Sequence, residues 1–325
     1  MKIIQPSTLA LLREARRTRA YTLLNCLHGY FYGRWTYFYI RVGVGEHPLS
    51  RVIVRLGSAW FALQRRLRRF IRVFAGQGAR KLPQKRQRIT LADTYHGKVV
   101  PLSAARQLVM VQEDIRLENL EKIIPYARAR DIILKNPDHI IALECPCRSA
   151  RANPCLPLDV CLIVGEPFAS FVAEHHPRRS RWITSQQAVE ILQAEDARGH
   201  VHHAFFKDAM LGRFYAICNC CACCCGAMQA QRNGTPMLAS SGYIARVDEA
   251  LCIGCGDCQE ACQFGALTLD AVFSNIDESL CMGCGVCVNR CPEGALSLER
   301  AAGRGEPLEI LTLMEESFES VGIIP

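Results

Sequence analysis

Apolar residues recur at helical spacing in the first third of the chain. Positions 53, 56, 60, 63, 67, 70 and 74 are apolar at intervals of three and four residues, and arginines surround them. This period predicts an amphipathic helix within residues 51–74. The preceding segment 29–45 is rich in tyrosine and phenylalanine, with one tryptophan; tyrosine and tryptophan favour boundaries between apolar and wet surroundings. Residues 1–90 are therefore predicted to form a mainly helical, basic and aromatic region.

The central stretch mixes helical and extended patterns. Residues 113–136 are predicted to be mostly helical, with Pro125 beginning a second turn, and the apolar run 139–143 predicts a strand. Residues 185–198 predict a helix that Gly199 can cap. Near the end of the chain, residues 306–320 predict an amphipathic helix that packs on the domain preceding it, with partner docking as the alternative.

Composition excludes some classes of protein and divides the chain into two parts by charge. In 325 residues, 50% are apolar and 22% are charged, which excludes a disordered or collagen-like chain. Residues 1–90 hold 19 Lys and Arg against two acids, a charge of +17, whereas residues 91–325 hold 20 against 29, a charge of −9. The two parts are therefore expected to face different surroundings.

The basic segment suggests where the protein resides and what it meets. Residues 51–74 fit an anionic membrane surface or an acidic partner, and packing on the protein's own domain is the alternative. Nucleic acid is not favoured as a partner, because no recognised nucleic-acid module is present. The N-terminal segment lacks the pattern of a signal peptide, and no uncharged apolar stretch reaches 18 residues. The expected location is cytoplasmic, with peripheral attachment to the cytoplasmic membrane face as an option.

Nineteen cysteines require a chemical explanation in a chain of this length. A core of this size does not need disulfides for stability, and an odd number of cysteines cannot pair completely. In a reducing compartment, such a number indicates metal ligands before disulfides.

Residues 246–270 and 275–299 are copies of one unit. They align with an offset of 29, and each contains the spacing C-x2-C-x2-C-x3-C. Three closely spaced thiolates suit one iron–sulfur cube, and the fourth ligates the cube of the other unit. One predicted [4Fe-4S] ligand set is therefore Cys252, Cys255, Cys258 and Cys291, and the other is Cys281, Cys284, Cys287 and Cys262.

This duplicated unit resembles the bacterial dicluster ferredoxin domain over residues 243–300. The resemblance implies a pseudo-twofold pair of βαβ type holding two [4Fe-4S] clusters. The sequence departs from the family at Gln263, where the family has the proline seen at Pro292. Altered local stiffness with an intact cluster is expected from that change. A pair of zinc sites is the alternative, although zinc knuckles rarely show two such units.

Ten further cysteines form two short groups. They are Cys145, Cys147, Cys155 and Cys161 in the first group, and Cys218, Cys220, Cys221, Cys223, Cys224 and Cys225 in the second. The CPCR and CNCC-x-CCC segments resemble those of uncharacterised iron–sulfur proteins that precede a dicluster ferredoxin domain, which implies further metal binding. Four thiolates complete one cube and eight complete two, so one or two additional clusters are predicted. Zinc with spare thiols and a regulatory disulfide stay open, and Arg148 and Arg151 are candidates to offset thiolate charge.

These patterns predict an α+β protein with four parts. They are a helical region over 1–90, an α/β cysteine-rich central domain over 91–242, a duplicated βαβ-type dicluster ferredoxin domain over 243–300, and a helical tail over 301–325.

The expected function is single-electron transfer to a partner oxidoreductase. The clusters form the relay, and redox proteins are the expected partners. No G-x-G-x-x-G after a strand, P-loop, G-x-S-x-G or H-E-x-x-H pattern is present, so no nucleotide site or catalytic residue is assigned. The alternatives are a reductase whose catalytic metal or cluster is built from the central cysteines, and a cluster-based sensor. Whether the protein is an enzyme is left open by the sequence.

Overall fold

The computed structural model describes residues 5–18, 21–52, 90–270 and 272–321. The predicted amphipathic helix at 51–74 falls outside the described residues except for positions 51 and 52. Within the described ranges, no helix is both long and apolar enough to span a bilayer.

Helices and strands alternate along most of the chain. The helices are α1 (Pro6–Arg17), α2 (Leu23–Arg34), α3 (Thr36–Gly43), α4 (Leu91–Thr94), α5 (Leu102–Met110), α6 (Pro146–Ser149), α7 (Phe168–His175), α8 (Ser185–Ala197), α9 (Gly226–Arg232), α10 (Asp257–Ala261), α11 (Val286–Arg290) and α12 (Ile310–Val321), with a short 3-10 turn at Ala302–Arg304. The strands are β1 (Tyr95–Val100), β2 (Ile115–Leu117), β3 (Ile132–Leu134), β4 (Ile140–Leu143), β5 (Cys161–Val164), β6 (Ser180–Ile183), β7 (Val201–Lys207), β8 (Arg213–Cys220), β9 (Leu238–Ala239), β10 (Tyr243–Val247), β11 (Leu267–Leu269), β12 (Ser274–Ile276) and β13 (Leu296–Arg300).

A seven-stranded sheet in the order β6-β4-β5-β8-β7-β1-β9 organises the central domain. Every pairing in it is antiparallel except that of β1 with β9. The chain is a mixed α+β protein, as expected, but the α/β prediction for the central domain is wrong. Of the neighbouring strands, β7 and β8 are joined by a short hairpin and β4 and β5 by the segment that contains α6, and both pairs are antiparallel.

Each face of this sheet has its own apolar core. One face packs α1, α2 and α7, and six of the ten central thiols belong to its core or pack against it. The other face packs α5, α8, the hairpin β2–β3 and the tail helix α12. These six thiols thus lie on one side of the sheet.

Two sequence predictions hold and two fail. The strand at 139–143 is confirmed as β4, and the helix at 185–198 is confirmed as α8, which begins with a capping box between Thr184 and Gln187. The helix at 113–136 is wrong, because this segment forms the antiparallel hairpin β2–β3. The tail helix exists as α12, but its buried residues Ile310 and Met314 join the core of the central domain, not the preceding ferredoxin-like domain.

The C-terminal repeat folds into two small antiparallel pairs. Strand β10 pairs with β13, and β11 pairs with β12. Each repeat has the predicted strand-helix-strand order; the outermost strands of the duplicated unit pair with each other, and the two inner strands form a hairpin. This closure places the helices α10 and α11, each following a cysteine loop, side by side.

Candidate metal centres

Four cysteines surround a cavity at the exposed end of the C-terminal repeat. This outer cavity is lined by Cys252, Cys255, Cys258 and Cys291. Its rim is open to solvent, since Cys255 is exposed and Ile253 is 65% exposed. The structure thus brings together one of the two predicted ligand sets.

The other predicted set lines an inner cavity. Its thiols are Cys262, Cys281, Cys284 and Cys287, and its apolar wall includes Phe264, Met282 and Val286. Met282 and Val286 also belong to the core on the thiol face of the central sheet. The inner cavity therefore lies against the central domain.

Backbone N–H groups point at the sulfurs of both cavities. Ala266 donates to the Sγ of Cys262 at 3.2 Å, and its repeat counterpart Ala295 donates to the Sγ of Cys291 at 3.3 Å. Hydrogen bonds of this kind stabilise thiolate charge and tune cluster potential. Their equivalence in the two repeats fits a pair of similar cluster-binding sites.

A glycine in each cysteine loop allows a tight turn. Gly254 and Gly283 adopt φ of +68° and +63°, in the left-handed region. A Cβ on Gly283 would lie 2.2 Å from the carbonyl oxygen of Tyr243, so no other residue fits there. This close approach fixes the inner loop against β10.

The thiols of the two cavities differ in their electrostatic surroundings. Burial raises the pKa of Cys287 in the inner cavity to about 12. Backbone N–H groups of Ser274 and Gly254 instead lower the pKa of Cys252 in the outer cavity. A buried thiol of this kind ionises when a cation binds it, so metal loading at the inner cavity releases protons.

Side-chain contacts attach the C-terminal repeat to the central domain. The Oε1 of Gln263 accepts a hydrogen bond from the backbone N of Ala222 at 2.7 Å. Nearby, Nδ2 of Asn289 donates to Oδ2 of Asp196 at 2.8 Å, and Nη1 of Arg290 donates to the carbonyl of Ala197 at 2.9 Å. Gln263 is the residue where the sequence departs from the ferredoxin pattern. It directly follows Cys262, which lines the inner cavity, so its hydrogen bond connects this part of the cavity wall to the CNCC-x-CCC segment.

Eight of the ten central thiols line one cavity on a single face of the sheet. Six of them interact pairwise and are named here the six-thiol group: Cys218, Cys161, Cys145, Cys147, Cys225 and Cys220, in order of contact. The pKa of Cys145 is raised to about 12, mainly by the thiol of Cys147 and to a smaller extent by burial. Because these thiols come from β5, β8 and the ends of α6 and α9, only the folded sheet brings them together.

Tyrosines face the same cavity, and the sequence did not single them out for this role. Tyr32 of α2, Tyr95 of β1 and Tyr215 of β8 line it, and the Tyr32 and Tyr215 hydroxyls are 3.0 Å apart. The three tyrosines lie on three separate elements of secondary structure, so no local sequence pattern could have shown that they line one cavity.

The remaining four central cysteines form a separate, compact group, named here the four-thiol site. Its members are Cys155, Cys221, Cys223 and Cys224, whose sulfurs all lie within 4.8 Å of one another. Cys223 is exposed, whereas Cys221 and Cys224 are buried and also border the cavity of the six-thiol group. Partial burial alone would raise the pKa of Cys223, but hydrogen bonds with the other three thiols outweigh this effect and lower the pKa. The ten central cysteines are thus divided into six and four.

A buried lysine beside the cavity makes stability depend on pH. Lys207 is 4% exposed, with its Nζ 4.2 Å from the ring centre of Tyr95 and 4.4 Å from that of Tyr32. Burial lowers its pKa from 10.5 to about 7. Between these two values the unfolded chain binds the proton and the folded protein does not, so stability should rise with pH from about 7 to 10.5.

The Lys207→Met variant is expected to lose much of this dependence. Its stability at pH 7 relative to wild type should rise by about 4 kcal/mol, and the difference should shrink towards pH 10.5. Thermal melts across pH measure it, with Lys135→Met, a half-exposed lysine paired with Glu14, as the control. Part of the slope should persist, because burial also lowers the pKa of Lys98 to about 7. A variant melting profile parallel to that of wild type would contradict this role.

Comparison with known proteins bears on the C-terminal repeat. No match was found among curated proteins. Residues 251–300 match the family model described as a 4Fe-4S dicluster domain, which covers the cysteine loops of both cavities. The C-terminal part of the chain therefore carries a 4Fe-4S dicluster domain, and with the other cysteines it supports an iron–sulfur electron-transfer role.

Proposed function

We propose that this protein relays single electrons through a chain of iron–sulfur clusters to a partner oxidoreductase. The observation that carries the proposal is the pair of cavities in the dicluster domain, each lined by four cysteines. Cys252, Cys255, Cys258 and Cys291 hold one [4Fe-4S] cluster, and Cys281, Cys284, Cys287 and Cys262 hold the other. Each set takes three cysteines from one repeat and the fourth from the other, as this cluster type requires.

The two clusters occupy different positions along the relay. The outer cavity opens to solvent at Cys255, whereas the inner cavity shares Met282 and Val286 with the core of the central domain. Redox proteins therefore donate electrons to the outer cluster and accept electrons from it, and the inner cluster connects the outer cluster to the central domain. The contact between Gln263 and Ala222 fixes the distance across the domain boundary.

A third cluster lies at the six-thiol group. Four thiolates complete a [4Fe-4S] cube, and six are available around the cavity. Their high pKa values favour a site in which bound iron compensates the thiolate charge. This cluster is the inner end of the relay.

An exposed apolar patch surrounded by acids suits a redox partner. Leu251, Ile253 and Val272 are 50%, 65% and 69% exposed around the outer cavity. Residues 248–293 contain eight acids and one arginine, a charge of −7. A redox protein with an apolar contact surface and a basic rim is the complementary partner.

A membrane surface is a second proposed contact, made by the N-terminal region. Leu23, Leu24 and Leu27 of α2 are 75%, 76% and 57% exposed, in the part of the chain that carries its positive charge. Exposed leucines with nearby basic residues suit the interface of an anionic bilayer. Co-sedimentation with anionic and with neutral vesicles tests this contact, and equal recovery with both would argue against it.

A reductase is the alternative function, and the tyrosines favour it. The cavity of the six-thiol group also contains Tyr95 and the hydrogen-bonded hydroxyls of Tyr32 and Tyr215. Phenols beside a redox centre can supply protons to a substrate that is being reduced. A change in the spectrum of the central centre on adding substrate distinguishes this enzyme from a carrier.

Metal and sulfide analysis tests the relay. Anaerobically purified protein is expected to contain about twelve iron and about twelve acid-labile sulfide per chain, for three [4Fe-4S] clusters. A result of about eight iron and eight sulfide per chain would exclude the third cluster and indicate that only the dicluster domain is loaded. Iron far below eight in protein reconstituted with iron and sulfide would contradict the proposed function itself.

A further inference from the structure

The four-thiol site has a spacing that differs from that of the dicluster domain. The Sγ atoms of Cys155 and Cys223 are 3.2 Å apart, and those of Cys223 and Cys224 are 3.7 Å apart. A tetrahedral ion with metal–sulfur bonds of about 2.3 Å places its sulfurs about 3.8 Å from one another. The four thiols are thus already gathered at nearly the separation that a single ion demands.

The cysteines of the dicluster domain provide an internal comparison. In the described ranges, the four-thiol site is the only group of metal-binding side chains whose ligand atoms all lie within 4.8 Å. The thiols of the outer and inner cavities are spread more widely around a central space. A cube of four irons holds its thiolates farther apart than one ion does, so the two spacings indicate two kinds of centre.

Three consecutive carbonyl groups of the 222–224 loop are held by side chains. Arg232 donates to the carbonyl of Ala222, and Nε2 of Gln229 donates to that of Cys223 at 2.8 Å. Nη2 of Arg151 donates to the carbonyl of Cys224 at 3.2 Å. These contacts orient the loop that carries Cys223 and Cys224, next to Cys221, before any ion binds.

Charge around the site suits four thiolates. A divalent ion bound by four thiolates keeps a net negative charge. The guanidinium groups of Arg151 and Arg232 both contact this loop; Arg151 is also paired with Glu46, so Arg232 supplies the unshared part of the positive charge near the thiolates. Cys155 closes the site from a different loop, which leaves no open coordination position.

We propose that Cys155, Cys221, Cys223 and Cys224 bind one zinc ion in a closed tetrahedral site, separate from the iron–sulfur clusters. The ion joins the loop after α6 to the loop before α9. Through the hydrogen bond from Ala222 to Gln263, it also holds the position of the dicluster domain. The proposal does not depend on the electron-transfer function, because a closed zinc site takes no part in redox chemistry.

Metal analysis of matched variants tests the site. Wild type and Cys26→Ser, which changes a lone thiol distant from this loop in sequence, should each contain about one zinc per chain. The double variant Cys155→Ser/Cys223→Ser should lose at least about nine-tenths of that zinc. Its iron content and both dicluster electron paramagnetic resonance (EPR) signals should stay unchanged. X-ray absorption at the zinc edge of wild type should show four sulfur neighbours at about 2.3 Å.

Iron at this site would overturn the proposal. That outcome would appear as loss of iron from the double variant, or as wild-type protein that lacks zinc after growth in zinc-replete medium. If the double variant does not fold, cobalt substitution of wild type replaces it. Four thiolate-to-cobalt bonds should give intense charge-transfer bands that zinc displaces, and their absence would overturn the site. Loss of dicluster signals in wild type would contradict only the proposed relay.

Discussion

Replacing Cys284 with alanine is expected to remove one dicluster EPR signal and leave the protein folded. The inner cluster would lose one of its four ligands, so iron should fall by about four per chain. The outer cavity contains none of the altered atoms, and its signal should persist after reduction by dithionite. The central centre should then be reduced slowly, because the cluster nearest to it is missing.

Cys255→Ala is the matched variant at the outer cavity. It should lose a similar amount of iron and the other signal, since Cys255 belongs to the outer set. Reduction by a small chemical reductant should still reach the central centre, whereas reduction by a donor protein should slow markedly. Circular dichroism checks that both variants fold. Full iron and both signals in Cys284→Ala would exclude the ligand assignment.

The Arg148→Met variant is expected to be the most strongly destabilised of those considered. Arg148 is fully buried, and its Nη2 lies 2.5 Å from Oε2 of Glu195. The same guanidinium donates to the carbonyls of Pro157 at 2.6 Å and Asn219 at 3.1 Å. Removing one partner of a buried ion pair costs about 3–5 kcal/mol, and the contacts that Glu195 keeps with Arg198 and His200 place the expected loss in the lower part of that range.

The partner carboxylate shows why the loss is large. Burial alone would raise the pKa of Glu195, but hydrogen bonds from His200 and Arg148 hold it below its ordinary value. The sequence suggested that Arg148 offsets thiolate charge, and the structure shows that its charge is paired with Glu195 instead. Without Arg148, the cysteine segment at 145–149 would also lose its link to β8.

Thermal unfolding under anaerobic conditions measures the effect. A loss of 3–5 kcal/mol should lower Tm by on the order of 10 °C in a domain of this size. Arg181→Met is the control, because Arg181 is half-exposed in its pair with Asp159. Such surface pairs contribute about 0–1 kcal/mol. Equal melting temperatures for the two variants would show that the buried pair does not stabilise the fold.

Sequence reasoning succeeds where chemistry is local and repeated. The duplicated cysteine spacing predicted two sets of four, and each set lines one cavity in the structure. Helix α8 was predictable because its capping residues and its glycine stop lie within its own segment. In both cases, neighbouring residues carry the information.

Sequence reasoning fails where distant contacts decide. Residues 113–136 have a helical pattern, yet Asn119 and Ala129 adopt φ of +62° and +55°, which a helix does not permit. Pairing of β2 with β3 overrides the local preference. The division of the central thiols into two groups also depends on a distant contact, because Cys155 meets Cys223, which lies almost 70 positions later in the chain.

The unequal exposure of the two ligand sets also bears on damage by air. Dioxygen reaches the outer cavity directly past Cys255, whereas the inner cavity is shielded by the apolar wall it shares with the central sheet. In the proposed relay, oxidative loss of iron would therefore begin at the outer cluster, where the redox partner would bind. If the proposed relay is right, a briefly aerated molecule would lose contact with its redox partner while the proposed inner clusters stay intact, so repair of one exposed cluster would restore electron transfer.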